Sequence, residues 1–115
     1  MTSDSESTPY QTLTQYDDLQ TLIAQSHKLV IMCSAPWCGP CKQIRPLFAN
    51  KATDHKDIVF AYINISDFAD PDEKFITYVR GLPTFFSYYD GLLQNTFTGA
   101  NATLLNAMIG ALSNK

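Results

Sequence analysis

Residues 29–33, LVIMC, form an unbroken apolar run between two segments whose apolar residues recur at helical spacing. The run is too short for a typical helix. A strand covered on both faces needs no polar alternation, so the run predicts a central strand in a sheet with helices on either side. Before it, Leu19, Leu22 and Ile23 share one helical face behind Thr14 and Asp17, a pair that resembles a helix start. A first helix is predicted over residues 16–26. After the run, Ile44, Leu47 and Phe48 keep helical spacing as far as residue 53, with Pro46 inside the pattern and expected to kink that helix.

Residues 58–65 are rich in branched and aromatic side chains and predict a second strand. Asp70-Pro71 punctuates the chain and predicts a short helix running to residue 78. Residues 84–89 and 93–98 read as two strands joined through Asp90-Gly91, a hairpin signal. Asn101 is a suitable cap for a last helix, with Leu104, Leu105, Met108, Ile109 and Leu112 as its buried stripe. With a short first strand near residues 10–13, the order is strand, helix, strand, helix, strand, helix, hairpin, helix. That order fits an α/β domain in which a central sheet is layered between helices. The polar residues 1–9 are expected to form a flexible tail, leaving residues 10–115 as the domain.

Composition narrows the class. At 115 residues and 45% hydrophobic content the chain suits one domain with one core. Eight basic residues stand against 11 acidic ones, for a net charge of −3, and neither sign gathers into a block. Nucleic acid and anionic membrane are therefore not expected as main partners. Phe85, Phe86, Tyr88 and Tyr89 read as strand packing, since no Lys or Arg is interleaved to make a stacking platform for single strands. The first residues, MTSDSESTP, lack the basic and apolar parts of a secretory signal. Nor does any stretch approach the roughly 20 apolar residues that span a bilayer. The expectation is a soluble, cytoplasmic protein.

The chemistry centres on residues 36–42, PWCGPCK. Two cysteines at this spacing can bind metal, form a structural staple or exchange electrons. Cys38 falls where the central strand ends and a helix begins, and there unpaired backbone N–H groups and the positive end of the helix dipole favour thiolate over thiol. Cys41, one turn into the helix, is expected to be less exposed and close enough to attack a mixed disulfide at Cys38. Gly39 lets the backbone turn closely, and Pro40 restricts it and suits a first helical turn. The expected mechanism has two steps. The Cys38 thiolate attacks a target disulfide, then Cys41 displaces the reduced target and leaves a Cys38–Cys41 disulfide. Zinc competes with this reading, but its other ligands are missing: only Cys33, His27 and His55 remain, without the spacing of a second ligand pair. Cys33, inside the apolar strand, reads as an inert core thiol, and the two histidines read as solvated.

Residues 35–46, APWCGPCKQIRP, resemble the active-site signature of the thioredoxin family. Residues 80–84, RGLPT, are similar to that family's cis-proline loop, and residues 97–101, FTGAN, to its glycine-bearing groove segment. Three separated motifs in order make the resemblance specific, and it runs from residue 10 to the C-terminus. It implies a thioredoxin fold, a central mixed β-sheet flanked by α-helices, and protein-disulfide reductase activity. It also implies that Pro83 is cis and that Trp37, Gly39, Pro40, Leu82, Pro83, Gly99 and Ala100 form a shallow substrate surface around Cys38. No bound cofactor and no metal is implied. Electrons are expected from NADPH through a separate flavoprotein thioredoxin reductase, since the chain has no dinucleotide fingerprint. The implied partners are that reductase and disulfide-containing target proteins, with the chain itself a monomer.

Two positions depart from the family pattern. Thioredoxins usually carry a buried aspartate six residues before the first cysteine, where this chain has Met32, and a lysine on the next central strand, whose counterpart here is Tyr62. Losing both charges together is physically consistent, because a lone buried charge is costly while apolar replacement of a pair can be neutral. The loss predicts slower proton removal from Cys41 and longer-lived mixed disulfides. It also supports the alternative of a thioredoxin-fold binding module whose redox activity is secondary. An oxidant or isomerase is a third option, against which Gly39-Pro40 is the reductase-like pair.

Overall fold

A computed structural model describes residues 8–115 of the chain. The tail expected over residues 1–9 lies, for residues 1–7, outside the described residues. Five strands, β1 (Gln11–Leu13), β2 (Lys28–Ser34), β3 (Val59–Asn64), β4 (Thr84–Tyr89) and β5 (Leu92–Thr98), make one sheet in the order β1-β3-β2-β4-β5. β3 runs parallel to both β1 and β2, whereas β4 is antiparallel to β2 and β5, so the sheet is mixed. Helices α1 (Tyr16–Gln25), α2 (Gly39–Asp54) and α3 (Ala102–Ser113) cover it.

Every residue of β2 is buried, as a strand in mid-sheet under helices on both faces requires. Its alternation then divides the core in two. Val30 and Met32 pack with Ile44, Phe48, Leu105, Met108, Ile109 and Leu112 beneath α2 and α3. Leu29, Ile31 and Cys33 pack on the other face with Leu19 of α1 and with Phe68 and Phe75. Four of the five residues expected in the α3 stripe are buried, but Leu104 is 44% exposed, because its neighbour Leu105 takes the core-facing position. Asn101 caps α3 as the sequence indicates, its side chain accepting from the Leu104 N–H at 2.9 Å.

Three local expectations are corrected. Thr14 and Asp17 do not cap α1: the N-cap is Gln15, without a side-chain bond, and the Tyr16 N–H is satisfied by the Ala69 carbonyl at 2.9 Å. No helix runs from Asp70 to Tyr78. Two 3-10 turns, Pro71–Glu73 and Ile76–Tyr78, stand there instead. The Asp70 carboxylate draws in the N–H groups of Lys74, Phe75 and Ile76, and Glu73 turns to a φ of 51°, which no right-handed helix can continue through. Finally, His27 is solvent-exposed as expected, but it is not without an acidic partner. The hairpin tip brings Asp90 to it, at 2.5 Å from Nδ1, and its ring lies 4.9 Å from that of Tyr89. At that tip Asp90 and Gly91 have φ of 51° and 84°, the left-handed pair that suits a two-residue hairpin turn.

Candidate active site

β2 ends at Ser34, and the chain passes through Ala35, Pro36 and Trp37 to Cys38, the N-cap of α2. The loop is pinned by the Cys38 N–H, which donates to the Ala35 carbonyl at 3.1 Å. Pro40 lies in the first turn of α2, where its missing N–H costs no helical bond. Cys38 and Cys41 form a disulfide with their Cα atoms 5.3 Å apart, within the usual range for such a bond. The Cys41 N–H donates to Cys38 Sγ at 3.2 Å. Cys38 is 7% exposed and Cys41 1%, so the outer sulfur belongs to Cys38. Trp37, at 69% exposure, stands in solvent beside them and is not a packed core aromatic.

Gly39 plays a different part from the one its sequence position suggests. Its φ is not positive, and a Cβ placed there meets nothing within 4 Å. The turn does not need it; its bareness leaves the surface next to Cys38 open.

The register brings the other motifs to the same end of the sheet. Cys33 pairs with Thr84, so Pro83, one residue before β4, lies beside the exit of β2. The Leu82–Pro83 peptide is cis. Thr84 pairs with Thr98, which carries Gly99 to this end too, where its N–H donates to the Pro83 carbonyl at 2.8 Å. Gly99 has a φ of 117°, a conformation that side-chain-bearing residues rarely adopt. Gly81 is in a tight place: a Cβ on it would sit 3.0 Å from Thr98 Cγ2, which would have to give by a few tenths of an ångström. The cysteine loop, the cis-proline segment and Gly99-Ala100 thus form one rim.

Beneath the rim lies a different environment. Met32 is fully buried and pairs with Tyr62 across β2 and β3, in the core cluster that also contains Cys38 and Cys41. The Tyr62 ring packs 5.4 Å from that of Tyr10, and its hydroxyl accepts from an Arg45 guanidinium N–H at 3.0 Å. Arg45 also lies over the Tyr62 ring, 5.4 Å from its centroid. Apolar bulk therefore fills the layer where a buried acid is usual in the family, and the polar end of Tyr62 is led out to the surface. Cys33 is buried on the opposite face of β2, and desolvation pushes its thiol far above the ordinary range, so it stays protonated and inert. Among the described residues no group of three His, Cys, Asp or Glu side chains could hold a metal ion. The sequence reads Lys42 either as positive potential near the thiols or as a solvated helix residue, and it gives Ser34 and Arg45 no role; the spacing of Lys42 and Arg45 on one helical face is the available signal.

A family model described as Thioredoxin matches residues 10–111. The chain is 34% identical over 94 residues to thioredoxin of Homo sapiens, covering 81% of this chain and 88% of that one. It is 36% identical over 91 residues to thioredoxin of Mus musculus, covering 78% and 85%. Among solved structures, oxidized mitochondrial thioredoxin 3 from Saccharomyces cerevisiae superposes with a TM-score of 0.80 at 34% identity, covering 90% of this chain and 95% of that one. With its cysteine pair closed at the head of α2 and the family model spanning nearly the whole domain, the chain belongs to the thioredoxin family of protein-disulfide oxidoreductases.

Proposed function

We propose that Cys38 is the attacking thiolate and Cys41 the resolving thiol of a cytoplasmic disulfide reductase, a monomer that holds no cofactor and draws electrons from NADPH through a separate flavoprotein thioredoxin reductase. The observation that carries this reading is the Cys38–Cys41 disulfide at the N-terminus of α2, with the outer sulfur on Cys38. In the reduced protein the helix dipole and the Cys41 N–H favour negative charge on the Cys38 sulfur. That sulfur attacks a target disulfide, forming one S–S bond and expelling one target thiolate. Cys41, after losing its proton, attacks Cys38 Sγ, releases the second target thiolate and restores the internal disulfide. The reductase returns the two electrons.

Trp37, Gly39, Pro40, Leu82, Pro83, Gly99 and Ala100 are assigned to the target-contact surface, and backbone beside Pro83 is available to pair with an extended target strand. The test is insulin-disulfide reduction with dithiothreitol as donor. Activity in the parent and none in Cys38→Ser supports the reading, whereas a folded, inactive parent transfers it to the binding-module alternative that buried Met32 favours. Coupling to a purified flavoprotein reductase, followed by NADPH oxidation at 340 nm, a standard reading of hydride loss, tests the electron source.

A further inference from the structure

β3 flanks β2 on the side away from β4, pairing Tyr62 with Met32 and Asn64 with Ser34. Between these strand ends and the first turns of α2 opens a cleft of about 290 Å³, lined by Ser34, Pro36, Lys42, Arg45, Tyr62 and Asn64. Its polar groups are mostly donors without acceptors. Among the described residues the ion pairs are His27–Asp90 and Lys28–Asp57, so neither Lys42 nor Arg45 has a carboxylate partner. Arg45 spends one N–H on the Tyr62 hydroxyl and keeps the rest of its fork. Ser34 is 2% exposed, yet its hydroxyl bonds to no protein group; the cleft is the opening that hydroxyl has. Among the described residues no buried side-chain oxygen or nitrogen lacks a hydrogen-bond partner, so this hydroxyl is reached through the cleft and is open to a group from outside. Asp67 is not among the residues that line the cleft; it is solvent-exposed, with the Asn64 amide 3.4 Å from its carboxylate.

Two cations without carboxylate partners and an accessible hydroxyl around one cleft select an anion, and the cleft's place on the molecule says whose. Its Pro36 wall leads directly into Trp37 and Cys38, and it lies on the β3 side, whereas the Pro83 and Gly99 segments lie on the β4 side. A target whose cysteine meets Cys38 and whose chain runs along Pro83 on one side can extend over this cleft on the other. Resting on the reductase reading above, we infer that the cleft is a specificity subsite that takes a Glu or Asp carboxylate of the target protein, close to the disulfide being reduced. Arg45 and Lys42 supply the charge, and Ser34 donates a hydrogen bond that fixes the carboxylate.

The test uses disulfide-linked peptides that are identical except for Glu or Gln, placed at successive positions on either side of the cysteine. Their reduction by the full chain is read as a ratio of kcat/KM. At one position the Glu peptide is expected to be reduced about fivefold faster than its Gln twin at low salt, the scale of one partly exposed charge-assisted contact. The ratio should fall towards one in Lys42→Gln and Ser34→Ala, and invert in Lys42→Glu. As Lys42 is exposed, its variants should fold. The unmutated chain provides a further check, since the ratio should shrink as sodium chloride is raised. Adding inorganic phosphate at matched ionic strength separates the sources: loss of the Glu preference with phosphate alone shows a site for free small anions and overturns the target-carboxylate assignment. Equal rates for Glu and Gln peptides at every position overturn the subsite and leave the reductase reading intact. Reduction of neither peptide overturns both.

Discussion

The rim around Cys38 and the layer directly under it differ in how far they follow the family pattern. On the rim the cysteine loop, the cis Leu82–Pro83 peptide and Gly99 all follow the family pattern and meet at one end of the sheet. One layer down, a buried carboxylate and its lysine partner are replaced by Met32 and Tyr62, a packed pair with its one hydroxyl turned outward to Arg45. The difference teaches that the two layers serve different steps. Attack on a target needs the outer sulfur and the helix N-terminus, both of which are present. Resolution needs a proton taken from Cys41, which is 1% exposed and has lost the family's nearby acid. The first step should be ordinary for the family and the second slow.

Removing the attacking sulfur breaks the rim outright. Cys38→Ser should lower insulin reduction by at least about a thousandfold, the scale seen when a covalent nucleophile is deleted. Cys41→Ser should still attack but stop at one equivalent of mixed disulfide, countable by mass. Next in size is repair of the lower layer. Met32→Asp should speed resolution about tenfold, since a positioned acid-base group is worth that or more. It should also destabilise the fold by about 3 kcal/mol, measured by urea unfolding, because an acid is placed at a fully buried site. An unchanged rate in folded protein would mean that water already serves Cys41.

Smaller effects sharpen the boundary between the layers. Gly99→Ala adds no clash but places a side chain at a φ of 117°, and should cost about 1–2 kcal/mol with a raised KM for targets. Cys33 tests the core behind both layers through pH. Burial raises the folded thiol above its ordinary value of 9.0, so the folded state keeps a proton that the unfolded chain releases. Its contribution is complete below pH 9 and is lost as pH rises, with a slope approaching about 1.4 kcal/mol per pH unit. Half-buried Tyr88, its hydroxyl pKa raised chiefly by desolvation, acts in the same direction at higher pH. In the oxidized protein, Cys33→Ala should flatten the fall of unfolding free energy between pH 9 and 10 and should also reduce, without abolishing, the Tyr88 part, to which desolvation contributes most and the Cys33 charge adds.

Much of this was legible in the residues, and the exceptions share a cause. β2 announced itself because complete burial leaves an unbroken apolar run, and Asn101 because capping is a local bond. The cysteine pair and Pro83 were legible as motifs. What sequence could not supply depended on groups brought from far away. The Ala69 carbonyl takes the place of a cap on α1, Asp90 reaches His27 only through the hairpin, and Asp70 captures three N–H groups that a helix needed. In the site the same holds for Arg45 and Ser34, whose meeting with Tyr62 and Asn64 requires the parallel pairing of β2 and β3.

The most direct measurement of the two-layer account is the lifetime of the mixed disulfide. A reduced sample would be mixed with a disulfide peptide, quenched in acid at intervals, and each species counted by mass. The Cys38-linked species is expected to accumulate in the parent, and Met32→Asp to shorten its life about tenfold without slowing its formation. If the parent passes to the Cys38–Cys41 disulfide with no mixed species detected, or if the Met32→Asp lifetime is unchanged, the lower layer does not govern resolution and the account is contradicted.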